Sequence, residues 1–318
     1  MAPVGLGRAT IQDLSRRSDW HGLSQLATHF ALLGITGYLV WASRGGLWLL
    51  PAIMLHGVVL DFLFCALHES IHRTAFATRW LNDAVAFLCG VLLMLPYEYF
   101  RLFHFAHHRF TQDPLKDPEL AGKKPSSIGA YLWFASGLPN WWKRLTVTLR
   151  HALTGQVPEP FVPPSKRPAI VREARLVWAI YAAVALVSLA LWRADALVYW
   201  VLPAMAGQPF LRLFLLAEHT GCTFSNDMFA NTRTTCTNAV VRFLTWRMSY
   251  HVEHHAFPSV PFHALARVNA LIEDRIVEIG HGYLAVQRAL IHDIKSRAPN
   301  RPGETPPAGA MDADLRGR

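Results

Sequence analysis

Apolar and polar positions alternate along this chain in long blocks rather than residue by residue. Apolar stretches run from about Leu23 to Ala42, Leu47 to Leu67, Leu176 to Trp192 and Ala196 to Ala217. Each approaches the roughly 20 residues that a helix needs to cross a hydrocarbon core. Gly45–Gly46 breaks the first stretch from the second, and Arg193–Asp195 forms a tight turn between the last two. A shorter apolar run, Leu81 to Pro96, begins with Asn82–Asp83. His56 and Asp61 in the second stretch and Arg212 in the last are costly in lipid, so they should face protein or a cavity. Between Pro114 and Arg175 the chain is polar and rich in Pro and Lys. Within that segment Tyr131–Phe134 and Trp141–Trp142 predict a helix lying in the membrane interface, where Trp and Tyr prefer to sit.

The pattern predicts an all-α integral membrane protein with about four transmembrane helices, re-entrant or interfacial helices, and a cytosolic helical cap. Residues 1–22 form a polar N-terminal cytosolic segment without signal-peptide features, and residues 23–290 form the membrane domain. The Pro-, Gly- and charge-rich tail, residues 291–318 and above all the part after Ala298, is expected to be disordered.

Composition agrees with this division. Charged residues make up only 17% of the 318, and 52% are hydrophobic, where a soluble domain carries about 25% charge. The net charge of +9 raises nucleic acid or anionic lipid as partners. No helix-turn-helix, zinc-finger or RNA-binding pattern is present, and the basic residues flank the apolar spans, so the membrane reading stands and nucleic acid is set aside. Cys65, Cys89, Cys222 and Cys236 form no CxxC pair and read as reduced packing residues.

The sixteen histidines change the picture most. Eight fall into three groups: His68 and His72; His104, His107 and His108; His251, His254 and His255. On a helix, positions i, i+3 and i+4 share a face, so each group aims its imidazoles at one place. A ninth, His219, ends the last span beside Glu218. Imidazole suits Fe, Zn, Cu and Ni, and eight or nine ring nitrogens exceed what a four-coordinate zinc uses. They match two metals with four or five ligands each. Ligating histidines need a partner on the other nitrogen; Glu69, Asp113, Asp117 and Glu253 are placed for that role. A single histidine at a helix end, as His219 is, can instead cap carbonyls. For the isolated His29, His56, His151 and His263 a structural role is favoured.

One site demands one side of the membrane. The groups lie at the end of the second span, after the short run and after the last span, so the short run cannot be a full crossing. Four crossings then put both termini and all histidine groups together. Arg73, Arg79, Arg101, Arg109, Lys123, Lys124, Lys143 and Arg144 mark that side as cytosolic; the other side has only Arg44 and Arg193.

With these residues in view the chain resembles the membrane fatty-acid-desaturase superfamily over about residues 25–285. The order HxxxH, HxxHH, HxxHH matches, as do Thr111 and Asp117–Pro118 after the second group and the proline-rich turn after Tyr250–His255. The Ala217–Cys222 and Asn231–Thr235 stretches resemble a bacterial branch of desaturases and hydrocarbon oxygenases. The resemblance implies a di-iron centre held by the eight grouped histidines and His219, dioxygen as co-substrate, and location in a bacterial inner membrane. No HPGG haem signature is present, so electrons are expected from a separate reductase or ferredoxin. An apolar tunnel should bring a fatty acyl or hydrocarbon chain to the metals; Phe64 and Phe214 are expected on its floor, and Arg233 is a candidate for holding a carboxylate or phosphate head group. Desaturation of an acyl or lipid chain leads. Hydroxylation of a hydrocarbon, lipid or terpenoid on the same scaffold follows, and a zinc-dependent membrane hydrolase is the remaining alternative.

Overall fold

The computed structural model describes residues 6–122 and 124–297. Lys123, counted above among the charges of one face, and the tail from residue 298 lie outside the described residues. Helices dominate, and four are long and apolar enough to cross a membrane: Asp19–Ala42, Leu49–His72, Pro164–Ala190 and Leu197–His219. We label their α-helical parts α1 (Asp19–Ala42), α2 (Leu49–Asp61) continuing after a break at Phe62 into α3 (Leu63–His72), α6 (Arg167–Ala190) and α7 (Leu202–His219). The first begins four residues before the expected Leu23, because Ser18 caps it by accepting from the His21 amide at 3.4 Å.

The short apolar run forms α4 (Arg79–Leu92), which meets α5 (Tyr97–Phe110) at a 101° bend. Met94 turns the chain with φ +50°. His72, before α4, and His104 and His108, on α5, lie close enough for their ring nitrogens to share one metal. A segment that leaves a place and returns to it has not crossed, so the pair is re-entrant. The opposite end of the molecule agrees: Arg44, after α1, pairs with Asp195, before α7, at 3.2 Å. Both short turns therefore sit together, away from the histidines.

Inner and outer spans differ in packing. The most apolar 18 residues of Leu49–His72 are 67% buried, against 17% in each outer span; the outer helices present apolar side chains to lipid. The inner helices approach closely because glycines face each other. A Cβ on Gly57 would lie 2.0 Å from the Pro203 carbonyl oxygen, and one on Gly207 would lie 2.2 Å from that of Gly57. Small residues are what permit such contact between membrane helices.

The Trp-rich segment forms two helices rather than one, Ile128–Ala135 and Leu138–Thr154, separated by Gly137 at φ +71°. Leu132, Trp133 and Trp142 are exposed along them, as an interfacial position requires. After α7 the chain forms a strand, β1 (Arg233–Thr235), then the helix α8 (His251–Ala256). The strand β2 (Glu278–Gly280) pairs parallel with β1, Arg233 opposite Glu278. A last helix, Tyr283–Arg297, runs seven residues past the expected boundary at 290.

Candidate metal centre

Three helices and one span end bring all nine predicted histidines into one buried cluster. α3 carries His68 and His72, α5 carries His104, His107 and His108, α7 ends in His219, and α8 carries His251, His254 and His255. Their nitrogens converge on two foci. In the first, His68, His72, His104, His108 and His254 offer ring nitrogens within 4.8 Å of one another. The Nε2 of His254 lies 3.0 Å from that of His68 and 3.1 Å from that of His108, which lies 2.9 Å from that of His104. In the second, the His219 Nε2 lies 3.2 Å from that of His107 and 3.1 Å from that of His251, and His255 joins His107 and His219.

The other ring nitrogens decide what these contacts are. His107 Nδ1 faces Asp117 at 3.0 Å and Glu119 at 3.1 Å, and His219 Nδ1 faces the Asn231 carbonyl at 3.2 Å. Each carries a proton on Nδ1 to donate there, which leaves Nε2 of the neutral ring free to bind a metal. Two such nitrogens 3.2 Å apart are spaced to share one ion. His251 differs: its Nδ1 lies 3.4 Å from the Glu218 carboxylate without a hydrogen bond. First-row metal–imidazole bonds of about 2.1 Å place neighbouring donors roughly 3.0–3.4 Å apart, close to the spacing seen. Burial and neighbouring imidazoles push His251, His254 and His255 well below the ordinary histidine range, so these rings are neutral donors. The buried Nε2 atoms of His72 and His255 have no hydrogen-bond partner. The residues therefore fit metal ions at two foci.

The predicted partners divide. Asp117 meets His107 and also accepts from the Gln112 amide at 2.9 Å. Glu69 instead accepts from Thr74 at 2.8 Å and the Phe262 amide at 3.2 Å, and Glu253 accepts from Thr234 and Asn269. These two carboxylates tie the cap together without touching a ring. Burial raises the Glu253 carboxyl above its usual range. Glu119 and the Asn231 carbonyl are partners, and Glu218 a close neighbour, that the sequence reading missed; Glu218 directly precedes His219, which was the available signal. Asp113 caps a turn, accepting from the Leu115 amide at 2.9 Å.

A cavity of about 620 Å³ reaches His68, His104, His107, His219 and His251. Phe64, Phe100, Phe103 and Leu215 supply apolar wall. Phe214, expected beside it, turns away: its ring packs 5.5 Å from Phe62 and 5.3 Å from Tyr283. Arg233 is not free for a head group. Its guanidinium donates to the Ala217 and Thr220 carbonyls at 2.7 and 2.9 Å and pairs with Glu278, capping the end of α7. His29 and His56 satisfy themselves inside the bundle, on the carbonyls of Val59 and Tyr199. His151 pairs with Glu159.

Fold and site together define a membrane protein with a buried, histidine-built centre able to hold metal at the end of an apolar cavity. The model of the fatty acid desaturase family matches residues 59–287; the chain belongs to this family and is an oxidoreductase with lipid desaturase or oxygenase-type activity. It is 27% identical over 246 residues to the sn-1 oleoyl-lipid 12-desaturase of Picosynechococcus sp., covering 71% of this chain and 69% of that protein. It is 29% identical over 236 residues to the rat sphingolipid delta(4)-desaturase/C4-monooxygenase DES2, 70% and 65% covered. It is also 27% identical over 232 residues to beta-carotene 4-ketolase 3 of Haematococcus lacustris, 67% and 61% covered. The chain thus spans about two thirds of the length of these relatives.

Proposed function

We propose that this chain desaturates a fatty acyl or lipid chain, using dioxygen and two iron ions held by His68, His72, His104, His108 and His254 at one focus and His107, His219, His251 and His255 at the other. The observation that carries this reading is the convergence of nine imidazoles on two foci at the end of an apolar cavity. Nine imidazoles exceed the needs of a zinc hydrolase, whose open site uses three protein ligands. Iron bound there would supply the redox chemistry, removing hydrogen from an unactivated C–H bond with electrons from an external donor protein.

The chain's own residues do the rest. Phe64, Phe100 and Phe103 hold an apolar chain against the histidine end and exclude water. Asp117 orients His107, and the Glu218 carboxylate lies beside His251. Gln112 and Lys124 both donate to the His219 carbonyl, fixing the end of α7, and burial lowers the Lys124 ammonium from its usual range. In this reading the centre and both termini lie on the cytosolic face of a bacterial inner membrane, on the side where Arg73, Arg79, Arg101 and Arg109 gather. A second reading keeps the scaffold and changes the outcome to oxygen insertion. The relatives support both: at similar identity, one is a desaturase and another a ketolase.

Metal content of the detergent-purified protein, with lipid profiling of cells that express it, tests the proposal. About two irons per chain and a new double bond are expected. A hydroxylated product would favour the second reading, and zinc without iron would overturn the redox assignment.

A further inference from the structure

The cavity wall carries two guanidinium groups that the redox site does not use. Arg144 and Arg212 both line it, and both are more than nine-tenths buried, with 9% and 8% of their surface exposed. Arg144 lies on the interfacial helix Leu138–Thr154 and Arg212 on α7, inside an inner span. Each carries five N–H donors. Among the described residues Arg144 makes one hydrogen bond, to the Leu93 carbonyl at 2.8 Å, and Arg212 makes one, to Asn140 Oδ1 at 3.2 Å. Neither has a carboxylate within 4.0 Å among those residues. Asp61, the nearby acid, accepts from Gln208 at 3.0 Å through Oδ2 and has no partner on Oδ1.

Desolvated, unpaired arginines are expensive and, at membrane depth, mark ligand sites. The chemistry of the vacant positions is one-sided. The buried Arg212 Nε has no partner, and neither has Asn140 Nδ2. Asn140 also lines the cavity, and its oxygen is already occupied by Arg212. The unsatisfied groups of Arg212 and Asn140 are donors, which suit a group that only accepts; the unpartnered oxygens of Asp61 and Gln208 belong to residues off the cavity lining, and that of Glu218 lies at its histidine end. Burial and the neighbouring Arg212 charge, opposed in part by Asp61, bring the Arg144 guanidinium down to about 9.

We propose that Arg144, Arg212 and Asn140 form an anchor for a carboxylate carried by the apolar substrate, so that this enzyme takes a free fatty acid rather than an intact ester lipid. This rests on the acyl-chain reading above. Arg212 precedes His219 by seven residues on α7, about 10 Å along the axis. A chain held at Arg212 would reach the histidine end with roughly eight carbon–carbon bonds, at about 1.3 Å of advance each. Oxidation should therefore fall at a fixed count from the carboxyl end.

The test is equilibrium binding of a tritiated saturated fatty acid to full-length, metal-loaded protein in nonionic detergent, beside its methyl ester and the parent alkane. The acid should bind about tenfold or more tighter than either, and Arg212→Gln or Asn140→Ala should remove that margin while leaving alkane binding unchanged. Arg212→Lys keeps the charge without the fork and should restore only part of it. Equal binding of acid, ester and alkane to the unaltered protein would overturn the anchor and leave the desaturase reading intact; this comparison needs no variant to fold. A margin that survives Arg212→Gln and Asn140→Ala would overturn it too, placing the carboxylate on the metal. Failure of all three chains to bind would remove the acyl-chain reading and the anchor with it.

Discussion

The two histidine foci are built from the same residue type but held in place differently. Three of the four rings of the second focus have a hydrogen-bonding partner on Nδ1: Asp117 for His107, the Asn231 carbonyl for His219 and Thr111 for His255; His251 Nδ1 lies 3.4 Å from the Glu218 carboxylate without a hydrogen bond. Among the described residues, no ring of the first focus hydrogen-bonds to anything except another ring of that focus. Its orientation comes from helix faces and ring packing, such as His68 against His104 at 4.2 Å and His72 against His254 at 4.6 Å. The second focus can be loosened through its partners. The first can be damaged only through the rings themselves or the helices that carry them.

Removing a ring should have the largest effect and should not distinguish the foci by activity. His254→Ala and His107→Ala are each expected to abolish turnover, because a redox centre that needs both metals fails when either is lost. Metal analysis separates them: each variant should lose about one ion of the two. Full activity in either variant would break the single-centre picture.

The next effect tests the difference directly. Asp117→Asn should weaken metal binding at the second focus by about 10–100-fold, the usual cost of losing an orienting partner. Glu218→Gln should cost less, since its contact is longer. The first focus should keep its affinity in both, read by titrating metal back into stripped protein and following two binding phases. Equal loss at both foci would mean that they do not bind independently.

The contrast also explains what could be read from the chain alone. Histidines at i, i+3 and i+4 declare a shared face without any knowledge of the neighbours, so both sets of ligand candidates were legible. The span pattern was legible for the same local reason, and the one-sided placement of the groups forced the short run to return. Partners are not local. Glu69 and Glu253 sit beside ligating positions in sequence, yet their helices turn them toward Thr74, Thr234 and Asn269. Arg233 lies two residues from Asn231, which meets His219, but the strand points it to the end of α7. Helical periodicity gives a face and leaves open what packs on it; Phe64 and Phe214 were both apolar, and only packing separates cavity wall from core. Arg144 counted as a surface charge until its burial was known.

His263 gives the smallest expected effect and the sharpest control on the word cluster. It follows His255 by eight residues, close enough in sequence to be taken for part of the third group. Its ring instead stacks on His21 at 4.3 Å, joining the cap to the start of α1. Burial, His21 and the charges of Arg247 and Arg267 bring its proton affinity down to about 4, so it is neutral at pH 7 and available to a metal on chemistry alone. What it lacks is convergence: among the described residues no group of three or more ligand-type atoms includes it. His263→Ala should therefore leave metal stoichiometry and turnover within error, at a stability cost of about 1 kcal/mol for the lost ring packing, read as a small drop in Tm. Loss of one metal ion in this variant would show that proton affinity and proximity along the chain, rather than convergence, select the ligands here.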